Sequence, residues 1–219
     1  MNKFFEWAYK TRGETVKNLA DGVQISPEKM FLSFTSHNPV FVSHGSKGLN
    51  GAVKGVGFAP KPEFMEAAFK DYAEHIKTYS PNDKTYQERG LRVLIKHLYS
   101  ENAEKNIDFS CFYGIEMAYK HSYANYIENP EASLVFYQPP MISYELRGKM
   151  KLAGEKYDAD AEIDPFGLPL VQRFVNAQHD VYHAANPKIW QTRLVYKFTI
   201  EEIWNKSAGR DGFGKKLEL

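Results

Sequence analysis

Apolar positions recur at helical spacing from the first residues. Phe4, Phe5, Ala8, Tyr9, Val16, Leu19 and Ala20 follow one stripe, and Asp21-Gly22 closes it. Gly13 interrupts that stripe and marks a point where the helix can break in two. From Lys29 onward the period changes to two. Met30, Leu32, Phe34 and Ser36 alternate with Phe31, Ser33 and Thr35, and His37-Asn38-Pro39 leads into Val40-Phe41-Val42. This predicts two short strands, 30–36 and 40–44, around an Asn-Pro turn. The stretch from Gly45 to Gly57 holds five glycines and two lysines and reads as loop or irregular strand.

Residues 61–106 differ in kind. Pro62 suits a first helical turn, and Phe64, Met65, Ala68, Phe69, Tyr72, Ala73 and Ile76 line one face. Ser80-Pro81-Asn82-Asp83 breaks the pattern, and Tyr86, Leu91, Leu94, Ile95, Leu98 and Tyr99 carry a second helix. The result is a helical hairpin inserted in a chain otherwise rich in strands, suited to act as a lid or a partner surface. Strand signals return at 107–113, ending at Gly114. A helix follows over 116–128 and stops at Asn129-Pro130, because proline biases the residue before it away from helix. Strands are then predicted at 132–137 and, beyond the Pro139-Pro140 turn, at 142–152. Asp164-Pro165 and Pro169 precede a helix through Leu170, Val171, Phe174, Val175 and Val181, which Asn186-Pro187 stops. A last strand runs from Ile189 toward Trp204, leaving a basic, glycine-rich tail.

Composition narrows the function classes. The 219 residues suit one domain, 1–219, with 61–106 inserted within it. A net charge of +1, from 28 Lys+Arg against 27 Asp+Glu, argues against nucleic acid as a partner. No apolar run approaches the ~20 residues that cross a bilayer, and no secretory leader is legible, so a cytoplasmic protein with no membrane partner is expected. Aromatic residues make up 15% of the chain, and core is their usual place, with an aromatic substrate pocket as the alternative. A single cysteine, Cys111, excludes an intramolecular disulfide and any multi-cysteine metal site.

Several local patterns fall short of a site. His179 and His183 stand four apart, the spacing that faces two imidazoles to zinc, but no third ligand can be assigned. Two histidines on a polar face are the plainer account. Asp158, Asp160, Glu162 and Asp164 alternate as in a calcium loop, but Ile163 stands where glycine is needed and Pro169 where a bidentate Glu is needed. Gly48, Gly51, Gly55 and Gly57 match neither the dinucleotide nor the P-loop spacing. Cys111 lies between apolar neighbours and reads as a packed, inert thiol. A Lys, a His and a hydroxyl at Lys120, His121 and Ser122 open a short helix, which is what an anionic phosphate needs; a solvated surface helix is the bland reading.

The segment carrying Lys120, Ser122, Asn125, Asn129-Pro130 and Ser133-Leu134 resembles the S-x-K-x-x-N-L-x-x-N-P-x-x-S-L segment of the FMN-binding split-barrel family, the pyridoxamine 5'-phosphate oxidase-like proteins. Leu146-Arg147-Gly148-Lys149 is similar to that family's V-x-V-x-G-x-A strand, and 193–204 to its closing strand. The resemblance covers 107–153 and 189–216, and 30–44 would supply the opening hairpin. It implies an α+β fold, mainly β with helices: a split β-barrel of the FMN-binding type with an inserted helical hairpin. It also implies a homodimer, FMN as cofactor and oxidoreductase chemistry on a small-molecule substrate. Carried over by position, Lys120, His121 and Ser122 would hold the phosphate, followed by Asn125 and Arg147. Two departures stand out. Ser122 occupies the place of the family's phosphate-binding Lys, with Lys120 two positions earlier, and the helical insertion is extra. The displaced charge leaves room for haem or a deazaflavin. The rival readings are a haem-binding or haem-degrading protein on the same barrel, with His121, His179 or the C-terminal region supplying the ligand, and a non-catalytic protein whose helical hairpin docks a partner.

Overall fold

The computed structural model describes residues 1–156, 167–184, 193–209 and 212–219. The acidic run at 158–164, the Asn186-Pro187 stop and the start of the last strand at Ile189 lie outside the described residues. In chain order the elements are α1 (Lys3–Ala20), α2 (Pro27–Phe34), β1 (Val40–Gly45), β2 (Gly48–Val53), α3 (Pro62–Lys77), α4 (Tyr86–Leu94), α5 (Glu101–Glu104), β3 (Cys111–Ile115), α6 (His121–Glu128), β4 (Glu131–Gln138), β5 (Ile142–Leu152), α7 (Leu170–His183), β6 (Val195–Asn205) and β7 (Lys215–Leu217).

The fold is mixed α+β, a split β-barrel built on an antiparallel sheet. Six strands run β2-β1-β4-β5-β6-β3, with β7 added beside β6. The chain leaving β2 joins the two ends of that order. Its Lys54 and Val56 amides donate to the Pro39 and His37 carbonyls, on the β1 side. Gly57 then exchanges both backbone bonds with Tyr113 of β3, at 2.7 and 3.0 Å, and Pro60 bridges Ile107. These bridges lay the linker along the β3 end of the order, opposite β2. Against the barrel lies a helical layer in which α3 and α4 of the inserted hairpin pack on α7, α1 packs on α4, and α7 touches β3 and β6. The hairpin therefore shares the core instead of standing apart from it.

The aromatic residues fill the interior. Phe4 enters the barrel from α1 and meets Phe112, Phe136 and Tyr144 with ring centroids 5.1–6.2 Å apart. Phe41, Phe58, Phe174, Phe198, Tyr72 and Tyr196 are likewise fully buried. Cys111 is buried in the same cluster, and burial, then the nearby Asp108, pushes its thiol up to about 11, as befits a packed, inert side chain.

Several elements depart from the expectations. Residues 30–36 are not a strand: α2 occupies Pro27–Phe34, with Ser26 accepting from the Lys29 amide as N-cap and Pro27 in the first turn. The opening hairpin is instead β1 with β2, turned through 45–48, where Gly48 has φ +73°. The α1 helix is unbroken, and Gly13 serves packing: a Cβ there would lie 3.2 Å from the Tyr99 ring. The strand expected from 107 begins at Cys111, because Asp108 folds back to accept from the Ser110 amide, and it runs through Gly114 to Ile115. The helix expected from 116 starts only at His121, since Glu116 takes the Ala118 and Tyr119 amides and Tyr119 sits at φ +50°. In contrast, α3, β5 and α7 lie close to their expected bounds.

Candidate functional site

Barrel and helical layer do not meet everywhere. Between them lies a cleft of about 370 Å³. Its walls are α1 (Arg12, Thr15, Val16), the end of α2 and the turn beyond it (Phe34, His37), the linker Gly55–Val56–Gly57, α4 with the turn after it (Leu94, Leu98, Tyr99), β3 (Tyr113, Gly114, Ile115) and α7 (Val175, Gln178, His179, Tyr182, His183). Tyr99 enters through a wide π turn, Ile95–Tyr99, closed by the Ser100 amide on the Ile95 carbonyl at 2.7 Å. Such turns commonly re-aim side chains at functional sites. The glycines keep the floor thin. A Cβ on Gly114 would stand 2.4 Å from the Gly55 carbonyl oxygen and 2.3 Å from the Tyr196 hydroxyl.

Arg12 is the charged centre of this cleft. Its side chain projects from the apolar stripe of α1, and the residue is only 6% exposed. Nε and Nη2 both donate to the Ser36 carbonyl, while the guanidinium carbon lies 4.8 Å from the Phe58 ring centroid and 5.6 Å from that of Phe112. Among the described residues no carboxylate pairs with Arg12, and none lines the cleft. Burial pulls its pKa down to about 10, which leaves it cationic at neutral pH. Burial, then Arg12, then His183 push His37 down to about 3. His183 is also lowered, by burial first and then His179. Burial raises the Tyr99 phenol to about 12 and the Tyr182 phenol above its ordinary value, and Arg12 opposes both.

Behind the cleft a buried ion pair fixes the exit of β3. Lys54 Nζ and Glu116 Oε2 meet at 2.8 Å, Tyr126 donates to the same oxygen at 3.1 Å, and Glu116 Oε1 takes the Ala118 and Tyr119 amides. The Lys54 ammonium lies 5.1–5.9 Å from the ring centroids of Phe41, Tyr126 and Tyr196.

The residues expected to grip a phosphate are placed differently from one another. Lys120 and His121 are exposed at the start of α6. Ser122 is buried and accepts from Asn50 Nδ2 at 2.8 Å. Asn125 is buried too: it donates to the Gly48 carbonyl at 2.8 Å and accepts from the Lys47 amide at 3.0 Å. Both tie α6 to the β1–β2 hairpin. Arg147 pairs with Glu145 at 2.9 Å on β5 and extends toward Glu202 at 3.8 Å. His179 and His183 face each other with centroids 4.4 Å apart on α7, and among the described residues no group of three His, Cys, Asp or Glu is spaced for a metal ion. Arg12 was the informative residue, and its signal is an arginine within the stripe Phe5, Ala8, Tyr9, Val16, Ala20. His37, Tyr99 and Tyr182 carry no such mark, since the chain folds them together from three distant elements.

A scan against protein-family models finds no match, and a search of curated proteins finds none. Among solved structures, the chain is similar to HupZ of Group A Streptococcus, with 12% identity over 88% of this chain and 99% of that one and a TM-score of 0.39. It is also similar to a Listeria innocua protein described as "Putative Pyridoxamine 5'-phosphate oxidase", with 10% identity over 81% of this chain and 96% of that one and a TM-score of 0.35. At these values neither likeness transfers a residue role to this chain. Among the described residues no helix is long and apolar enough to cross a membrane.

Proposed function

We propose that the protein is a small-molecule-binding split barrel, an FMN-dependent oxidoreductase acting on a small substrate, with its ligand in the cleft between barrel and helical layer. The cleft carries this reading. Its volume of about 370 Å³ falls within the roughly 300–1,000 Å³ of sites that take drug-sized ligands, and its walls are mostly apolar with a few polar groups converging on them. Around α6, Ser122 and Asn125 are buried and bonded to the β1–β2 hairpin, while Lys120 and His121 stand exposed and Arg147 is exposed but paired with Glu145. The fit to a flavin therefore rests on the cleft. When bound, FMN supplies the hydride or electron transfer. The chain's part is to exclude water with Val56, Leu94, Leu98 and Ile115, and to offer protonated Tyr99 and Tyr182 phenols as donors. A homodimer belongs to this reading, and sedimentation analysis checks it.

One observation favours haem as a second reading. His37 and His183 both line the cleft, and a neutral imidazole is a ligand for haem iron. Parallel titrations separate the two. Quenching of FMN fluorescence that Ile115→Trp abolishes by filling the cleft supports the flavin. A Soret shift with haemin that is lost on His→Ala change at 37 or 183 supports haem. A protein that is colourless as isolated and responds to neither overturns both.

A further inference from the structure

Taking the cleft as the ligand site, we infer that the molecule bound there carries an acidic group on an apolar body, and that Arg12 with Tyr99 and Tyr182 binds the acid. The inference deepens the reading above by naming the ligand's class. A cation inside a protein ordinarily has a carboxylate beside it, because an unpaired buried charge is costly. Arg12 has none among the described residues, although it is 6% exposed and borders open space. The Ser36 carbonyl and the Phe58 and Phe112 ring faces offset part of that cost, but they are dipoles and quadrupoles, not a counter-charge. Two of the three guanidinium nitrogens, Nε and Nη2, are directed at Ser36, which leaves Nη1 outside that pair of bonds.

The neighbours suit an anion. Tyr99 and Tyr182 line the same cleft as Arg12, and both phenols are protonated at neutral pH, so both can donate. Among the described residues no Asp or Glu lines the cleft to repel an acid, and His37 beside Arg12 stays uncharged. The remaining lining, Val16, Leu94, Leu98 and Val175, gives the apolar body its place. If Arg12 served only to clamp the chain after α2, its site would have no reason to prefer an acid.

The test compares three probes of similar size by isothermal titration on the wild-type protein: 2-naphthoate, 2-naphthyl phosphate and the neutral 2-naphthylmethanol. A charge-assisted hydrogen bond contributes enough to make at least one acid bind about tenfold or more tightly than the alcohol. The ranking of the two acids then identifies the preferred anion. Arg12→Gln is expected to erase the difference between acid and alcohol, and Tyr182→Phe to narrow it in a protein that keeps its clamp. The wild-type comparison decides the matter even where Arg12→Gln does not fold. Equal binding of acid and alcohol overturns the inference and leaves the cleft as the ligand site. Failure of all three probes also overturns it, and failure of FMN and haemin as well removes the cleft reading with it.

Discussion

Lys54 and Glu116 meet at 2.8 Å with side chains 10% and 3% exposed, so neither charge can turn to water if the other is removed. Burial alone would push the Glu116 carboxyl up. The Lys54 bond and charge, with the Ala118 and Tyr119 amides, outweigh it and hold the group below its ordinary 4.5. A lowered folded-state pKa means that Glu116 stabilises the native state above about pH 4.5, and that this contribution disappears as pH falls through the lower folded value. Glu116→Gln is expected to cost about 3–5 kcal/mol at pH 7, the usual penalty for stranding one half of a buried pair. Urea unfolding at pH 7 and again below pH 4 checks both parts: the gap between variant and wild type must narrow in acid. A gap that stays constant with pH would show that Glu116 acts through its shape alone. Cys111 supplies a second residue-scale expectation. A thiol 1% exposed and pushed up to about 11 should react with a disulfide reagent far more slowly in the native protein than in urea.

The pairing of β5 with β6 depends on one missing side chain. The register shifts between Arg147 and Gly148, and a Cβ on Gly148 would lie 1.9 Å from the Thr199 carbonyl oxygen. That contact is with backbone, so no side-chain rotation relieves it. Gly148→Ala is expected to cost at least about 2 kcal/mol, read as a lower urea midpoint, because strand β6 itself must move. A neutral outcome would mean that the bulge is not as tight as the structure has it. This glycine was legible, since it stood in the strand that resembles the FMN-binding family, and so were α3, β5 and α7, whose apolar periods are long and uninterrupted. The α2 helix was not. Its alternating Met30 to Ser36 pattern reads as a strand, while the deciding signal is the cap ahead of it, Ser26-Pro27-Glu28. Strand β3 was shifted for a similar reason: an Asp108 side chain competing for backbone amides leaves no trace in hydrophobic period.

At the scale of the whole molecule, the candidate site was largely illegible because it belongs to no element. Arg12, His37, Tyr99 and Tyr182 come from α1, a turn, a π turn and α7, and tertiary packing of the helices on one another and on the 54–60 linker brings them around one cleft. The same packing makes a prediction about cooperativity. The helical hairpin is an insertion in sequence, yet Tyr72, Leu91, Leu94 and Leu98 belong to one continuous core with Phe4, Phe58 and Phe112. The hairpin also hangs from both sides of the closing contact, between Pro60 and Ile107. It cannot melt without opening the barrel and exposing that shared core. Far-ultraviolet dichroism, which reads the helices most strongly, and the fluorescence of the three tryptophans should therefore report a single urea transition with one midpoint. Removing 61–106 should leave a chain that does not fold, because it takes away the α3 and α4 faces on which α1 and α7 rest. Two separated transitions, or a truncated chain with native dichroism, would show instead that the helical layer is a module added to a self-sufficient barrel, and would free the cleft walls to move independently of one another.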